Sequence, residues 1–331
     1  MKSYGKTANL QYRKLQTVKP KWASKKSRGS PSAWSTYVSA TQKATSIGAN
    51  IADLSHFLAS YLSGEPNVSI HPTGTTFAAI SRVDKISQPP RRTWLMFLPA
   101  WDNYNIPLKL GFDKYRIYRN GIWHEAMHIR FTPEELFEWG ENLKRQVFNI
   151  IEDRRIEDLG VEYWTGYAPE RLYAHAYGWA LRPSVDTIQD KRKRIAEAFL
   201  QRMVVGKVKG KLDKAEADLI EETAKYAEKR IGEANKETDK MRKIAILRSL
   251  VDEVIKKLDL KDPNKPDEPP LPDFGSRSPW EATFTPSYEP SKSPEKIEED
   301  MEEFFKEKEK EAKDEPSDTK KDPKKITKQD V

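Results

Sequence analysis

Two histidines and a glutamate near the middle of the chain have the types and spacing of a metal site. His124, Glu125 and His128 form the pattern His-Glu-x-x-His. Residues four apart on a helix share one face, so the two imidazoles could hold two corners of a zinc tetrahedron. Glu125 would then be close enough to take a proton from a water at the metal. The pattern therefore predicts a zinc site with Glu125 as general base.

A pattern this short also arises by chance, and the alternative is an exposed helical turn with two solvated histidines. Two observations favour the metal. The chain has only five histidines, and two of them fall in this motif. The motif also lies among apolar residues such as Ile122, Trp123 and Met127, and not in a polar charge run.

A third ligand must come from another segment, and the chain has no cysteine to supply a thiolate. A second helix, predicted from Leu143 to Leu159, carries four acids in seven positions: Glu152, Asp153, Glu157 and Asp158. They could instead form a solvated face paired with neighbouring arginines. In one straight helix from residue 133, Glu152 would lie about 28 Å past the turn and His128 only about 5 Å from it. The metal hypothesis therefore requires a break at Gly140.

The motif and the acidic helix together resemble the gluzincin zinc metallopeptidases, the thermolysin-like clan. In that family two histidines and a downstream acid on a second helix bind zinc. The segment from Asn149 to Glu157 also resembles metallopeptidase-like segments of microbial proteins with von Willebrand A domains, although no Asp-x-Ser-x-Ser motif occurs here. The resemblance covers about residues 118–160. It implies a zincin-like core that hydrolyses peptide bonds.

The third ligand is ambiguous between two adjacent acids. In the family, the ligand is followed four residues later by an acid or amide, which fits Asp153 and Glu157 but not Glu152. A helical wheel, however, turns Glu152 towards the buried side and Asp153 towards the polar flank, where it would orient the imidazoles. We predict Glu152 as the ligand.

Zinc peptidases of this type also supply a Tyr or His that stabilises the oxyanion. The aromatic-rich stretch over residues 161–186 contains Tyr173 and His175, and we predict His175 as this catalytic residue. The alternative for each is a place in an aromatic core layer against the zinc helices.

The elements around the motif predict an α+β fold that is mainly α. Apolar spacing indicates a helix over residues 44–63 and several helices over residues 187–260. Short extended segments indicate a small sheet before the motif helix, at residues 67–71, 76–82, 93–101 and 114–118. The segment at 93–101 is the strongest strand, and its Pro99 favours an edge or an end. There it could pair with an extended peptide substrate.

The two ends of the chain differ in composition from the middle. Ten Lys and Arg residues and no acid precede Asp53, with aromatic residues between them. This basic arm (residues 1–43) could contact nucleic acid weakly or dock on the body.

Residues 261–331 hold half of the 22 prolines, which predicts a disordered tail. Its apolar stripe of Ile297, Met301, Phe304 and Phe305 would serve as a partner-docking helix or as a strap, and deleting the tail should leave stability nearly unchanged.

These observations bound the function. No run of 18 apolar residues and no apolar leader occur, so we expect a cytoplasmic protein without membrane contact. We predict four regions: the arm at 1–43, a zincin-like core at 44–186, a helical scaffold at 187–260 and the tail at 261–331. The predicted function is that of a zinc metallopeptidase acting on a peptide or protein. The alternative is a nucleic-acid-binding or structural protein with a structural zinc or none.

Overall fold

The computed structural model describes residues 49–73, 77–84, 91–101, 104, 106–109, 111–137, 139–140, 142–271 and 292–314. The predicted basic arm and part of the predicted disordered tail lie outside these ranges. Within them the chain is mainly helical with one small sheet, as predicted. None of the helices in these ranges is long and apolar enough to cross a membrane.

The elements follow one another from a helix through the sheet to a helical array. In chain order they are α1 (Ala49–Ser63), β1 (Val68–Thr73), β2 (Ala78–Asp84), β3 (Arg91–Pro99), α2 (Gly111–Phe131), α3 (Asn142–Tyr163), α4 (Ala168–Leu181), α5 (Lys191–Leu200), α6 (Lys214–Lys236), α7 (Lys240–Lys257) and α8 (Pro294–Asp314). A π-helical turn, Gln201–Val205, directly continues α5.

The sheet has the order β1-β3-β2, with β3 parallel to β1 and antiparallel to β2. Trp94, Met96 and Leu98 alternate along β3 and are buried, so one face of the sheet lies against the core. Of the two positions predicted from Pro99, the end is confirmed, since Pro99 is the last residue of β3, and the edge is not, since β3 is paired on both sides. A substrate therefore cannot add to β3, and among the described strands the edges of the sheet are β1 and β2.

The predicted strand over Lys114–Tyr118 is also wrong, because α2 already begins at Gly111. Tyr115, Tyr118 and Ile122 are buried at spacings of three and four, so they extend the apolar stripe of the motif helix towards its N-terminus. Helical spacing thus outweighs the local preference of the aromatic residues for strands.

The predicted break between the two motif helices is confirmed. After α2 the chain makes a short 3-10 turn, Glu134–Leu136, and Gly140 has a left-handed φ of 90° immediately before α3 begins. Gly160, predicted to end the second helix, instead lies within α3. A Cβ there would be only 2.6 Å from a ring atom of Trp123 and 2.8 Å from Cγ of Met127 on α2. Glycine at this position lets the two helices approach closely.

The predicted stripe on α8 is buried against the body, which decides between the two alternatives in favour of a strap. Ile297, Met301 and Phe304 are buried, and the Phe304 ring lies 5.8 Å from that of Trp179 on α4. Asp300 is also buried, with Oδ2 3.0 Å from Lys209 Nζ. The expectation that the whole tail contributes little apolar surface is therefore wrong for this helix.

Candidate metal centre

Three side chains from α2 and α3 direct potential ligand atoms at a common point. His128 Nε2 is 3.1 Å and His124 Nε2 is 3.6 Å from the same oxygen, Oδ1 of Asp153. The three residues are buried, and in the described part of the chain they form the one group of three or more ligating side chains with such mutual distances. A tetrahedron with bonds of about 2.0–2.1 Å has edges of roughly 3.3 Å. The two measured separations match that edge length.

The proton on His128 is fixed by a chain of hydrogen bonds behind it. The Thr132 hydroxyl donates to Glu152 Oε1 at 2.6 Å, and His128 Nδ1 lies 3.1 Å from the same hydroxyl oxygen. Arg155 donates to both oxygens of Glu152. Although burial opposes ionisation, Arg155 lowers the pKa of Glu152, so Glu152 only accepts. Since Thr132 gives its one proton to Glu152, it must accept from Nδ1–H of His128, and Nε2 of the neutral ring keeps its lone pair.

His124 is oriented by a different carboxylate. Glu157 Oε1 lies 3.0 Å from His124 Nδ1, and Oε2 lies 2.8 Å from His175 Nε2. Burial raises the pKa of Glu157, but the two imidazoles outweigh it and the net shift is downward. Glu157 is therefore an ionised acceptor that fixes the proton of His124 on Nδ1, and Nε2 is left to face Asp153. A carboxylate behind a ligating imidazole is a common feature of metal sites.

The charges at this point fit a cation. Burial lowers the pKa of His128, so its ring is neutral. Burial is the main cause that raises the pKa of Asp153, and Glu157 and Glu125 add to the rise, while the attraction of His124 offsets it only in part. Among the described residues, Asp153 Oδ2 and Glu125 Oε1 are buried without a hydrogen-bond partner. The Nε2 lone pairs of the two histidines repel the Asp153 carboxylate at these distances unless a proton or a metal ion lies between them. A site of two imidazoles and one carboxylate is typical of zinc.

The structure brings Asp153, and not the predicted Glu152, to the two imidazoles. Glu152 is buried as the wheel predicts, but its carboxylate faces Arg155 and Thr132. Successive residues on a helix point about 100° apart, so burial of one acid does not specify what it faces. We therefore replace Glu152 by Asp153 in the candidate ligand set, and Glu152 becomes an anchor for His128.

The predicted oxyanion residue also has a different place. His175 on α4 is buried and contacts Glu157, which lies between it and His124. Tyr173 is covered by the Arg116 guanidinium, 3.7 Å above its ring, and by Phe305 of α8. Neither residue lines the cleft beside the centre. This geometry does not support the predicted oxyanion role of His175 and makes it a second hydrogen-bond partner of Glu157.

A cleft opens beside the centre on the side of the sheet. The empty space there, part of which is continuous with open solvent, is about 430 Å³, and Glu125 and His128 line it. The remaining wall is mostly apolar and comes from β2, the segment between α2 and α3, and the first half of α3: Ala78, Ala79, Thr132, Leu136, Phe137, Arg145, Phe148 and Asn149. Glu125, although buried, thus adjoins a space that a small segment of another molecule could enter.

One supporting residue, Thr132, went unnoticed in the sequence although its spacing marked it, and another, Arg155, was considered only as a partner of a solvated acidic face. Thr132 follows His128 by four residues and therefore lies on the same face of α2. Arg155 follows Glu152 by three residues, a spacing at which opposite charges pair on a helix.

Comparisons of the chain with known protein families, curated proteins and solved structures find no significant match.

Proposed function

We propose that the protein is a zinc-dependent metallopeptidase whose metal is held by His124, His128 and Asp153. The observation that carries the proposal is the convergence of two imidazole nitrogens and one carboxylate oxygen beside Glu125, whose Oε1 has no partner among the described residues. The sequence resemblance to gluzincins supports the same activity. The small mixed sheet before the motif helix is consistent with it.

Glu125 carries the proton transfers in this proposal. Zinc, when bound, would supply Lewis acidity that lowers the pKa of a water towards about 7. Glu125 accepts a proton from that water as oxygen attacks the peptide carbonyl, and it returns the proton to the departing amine nitrogen. Meanwhile Thr132 and Glu157 hold the Nδ1 protons of the two histidines, so both rings keep the same tautomer.

The edge strand β2 supports an extended substrate. Ala78 and Ala79 of β2 line the cleft together with Glu125, and β2 pairs only with β3 among the described strands. An open strand edge offers backbone donors and acceptors to an extended peptide. Leu136, Phe137 and Phe148 add apolar surface for a side chain of that peptide. The predicted substrate pairing therefore moves from β3 to β2.

The test compares zinc content and peptide hydrolysis in wild type and Glu125→Gln. We expect the variant to retain zinc near one per chain, since Glu125 is not a ligand, and to lose hydrolysis by about 10²–10⁴-fold. Glu135→Gln, which changes an exposed glutamate, is the matched control and should retain both. Undiminished hydrolysis in Glu125→Gln would refute the assigned mechanism.

A structural zinc is the second candidate, because Glu125 is only 2% exposed. With a structural zinc, the wild type would hold zinc and hydrolyse no peptide, and removing the zinc with a chelator would unfold the protein. With a catalytic zinc, the chelator would abolish hydrolysis and leave the protein folded. The same zinc analysis with a broad set of peptides separates the two candidates.

A further inference from the structure

We propose that the cleft recognises a carboxylate of its substrate through Arg145. This inference rests on the proposed function in taking the substrate to be a peptide. It goes further in naming its chemical class: a peptide that presents an acidic side chain or a free C-terminus near the bond that is cleaved.

Arg145 brings a positive charge to a wall that is otherwise mostly apolar. No described carboxylate pairs with its guanidinium, which contrasts with Arg154 and Arg155 on the same helix. Its Nε is buried and has no hydrogen-bond partner among the described residues. A guanidinium is always charged, and leaving its buried Nε–H unpaired is unfavourable. A ligand that supplies two acceptor oxygens removes this cost, and a carboxylate matches the guanidinium geometry best.

The turn before α3 fixes the position of this charge. Gly140, in its left-handed conformation, directs its carbonyl oxygen to Arg145 Nη2 at 3.1 Å. That bond uses one of the five donors of the guanidinium and holds it at the mouth of the cleft. Because the turn also sets the start of α3, it positions Arg145 and the metal-facing residues on one rigid helix.

The spacing along α3 relates Arg145 to the reaction centre. Arg145, Asn149 and Asp153 are four residues apart, so they follow one another along one face, and the first two line the cleft. At 1.5 Å per residue, Arg145 lies about 12 Å along the helix from Asp153. An extended peptide advances about 3.3 Å per residue, so the carboxylate would lie within about four residues of the cleaved bond.

The experiment uses zinc-loaded full-length protein and two matched pairs of fluorogenic peptides. The first pair differs only by Glu or Gln at positions one to about four residues from the cleavable bond. The second differs only by a free or an amidated C-terminus at the same distance. Cleavage rates within each pair, expressed as a ratio of kcat/KM, identify the source of the carboxylate.

We expect one pair to show a preference of about 10–100-fold for the carboxylate, as charge-assisted hydrogen bonds in a sheltered site provide. In Arg145→Gln that ratio should fall to near one. Arg242→Gln, which changes an exposed arginine on α7, should keep it. Equal zinc content and equal thermal midpoints in wild type and variants would exclude misfolding as the cause. The ratio of kcat/KM within a peptide pair is also independent of the overall activity of each protein.

A wild-type ratio near one in both pairs, or a preference that persists in Arg145→Gln, would overturn the proposal. Fluorescence anisotropy with the same peptides separates this failure from that of the proposed function. Arg145-dependent binding of the carboxylate peptide without any hydrolysis would support the carboxylate site while rejecting the peptidase. Hydrolysis without a carboxylate preference would support the peptidase while rejecting the carboxylate site.

Discussion

At the scale of single residues, two adjacent acids on α3 have opposite roles. Asp153 faces the imidazoles without a cation beside it, whereas Glu152 has its charge balanced by Arg155. The sequence contained the information to separate them, because only Asp153 has an acid four residues later and only Glu152 has an arginine three later. Burial could not identify the ligand, because both Glu152 and Asp153 are fully buried.

We expect Asp153→Asn to lose stoichiometric zinc and Glu152→Gln to keep it. The first removes a ligand, whereas the second weakens only the anchor of His128, which should cost about 10–100-fold in affinity. Competition with a chelating indicator measures both affinities. The opposite order would return the ligand role to Glu152.

In metal-free protein, Asp153→Asn should change the free energy of unfolding. Because burial raises the pKa of Asp153, its ionisation opposes folding wherever the unfolded chain is already ionised, from about pH 4 upward. Metal-free Asp153→Asn should therefore be more stable than wild type at neutral pH. The difference should shrink as the pH falls to about 4, as urea unfolding in a chelator would show. A difference that does not vary with pH would contradict this origin.

At the scale of elements, local patterns predicted most of the helices and the break at Gly140, but not α4, the first turns of α2 or the order of the strands. Turn chemistry and apolar spacing are local, so the sequence displays them directly. Strand order depends on pairing between distant segments, and the Pro99 signal described only the end of β3. The close helix approach that a short Asp requires is provided by Gly160, two turns beyond Asp153.

The docking of α8 gives a prediction at this scale. Phe304→Ala should reduce the free energy of unfolding by about 3–5 kcal/mol, because it leaves a cavity between α8 and α4. Met241→Ala removes an exposed apolar side chain and should change it by less than about 0.5 kcal/mol. Urea unfolding followed by fluorescence measures both. Equal stabilities would indicate that α8 contributes little.

At the scale of the whole molecule, the charge is divided along the chain. The first 52 residues carry ten positive charges and no acid, so the remaining residues carry −3 within a total of +7. The candidate ligands all belong to the negative part. The positive part lies almost wholly outside the described residues, so whether the basic arm docks or binds nucleic acid stays a prediction.

We expect deletion of residues 1–43 to leave zinc content unchanged and DNA binding to be weak at physiological salt in either form. If the arm neutralised about five phosphates, the full-length protein would instead show a log–log salt slope near −4.5 that the deletion removes. Filter binding over a salt series measures the slope. Tight, salt-sensitive binding without zinc would favour the nucleic-acid alternative.

The strap formed by α8 has a consequence for how the molecule is assembled. Among the described residues, its attachment is a buried apolar stripe flanked by lysine–carboxylate pairs to the body, Lys209 with Asp300 and Lys109 with Glu298, all of which are noncovalent. Chain connectivity therefore contributes to this attachment mainly by raising the local concentration of the helix. Two separate polypeptides, one ending after residue 271 and one spanning residues 292–314, should therefore recombine through the contacts that the structure describes between them.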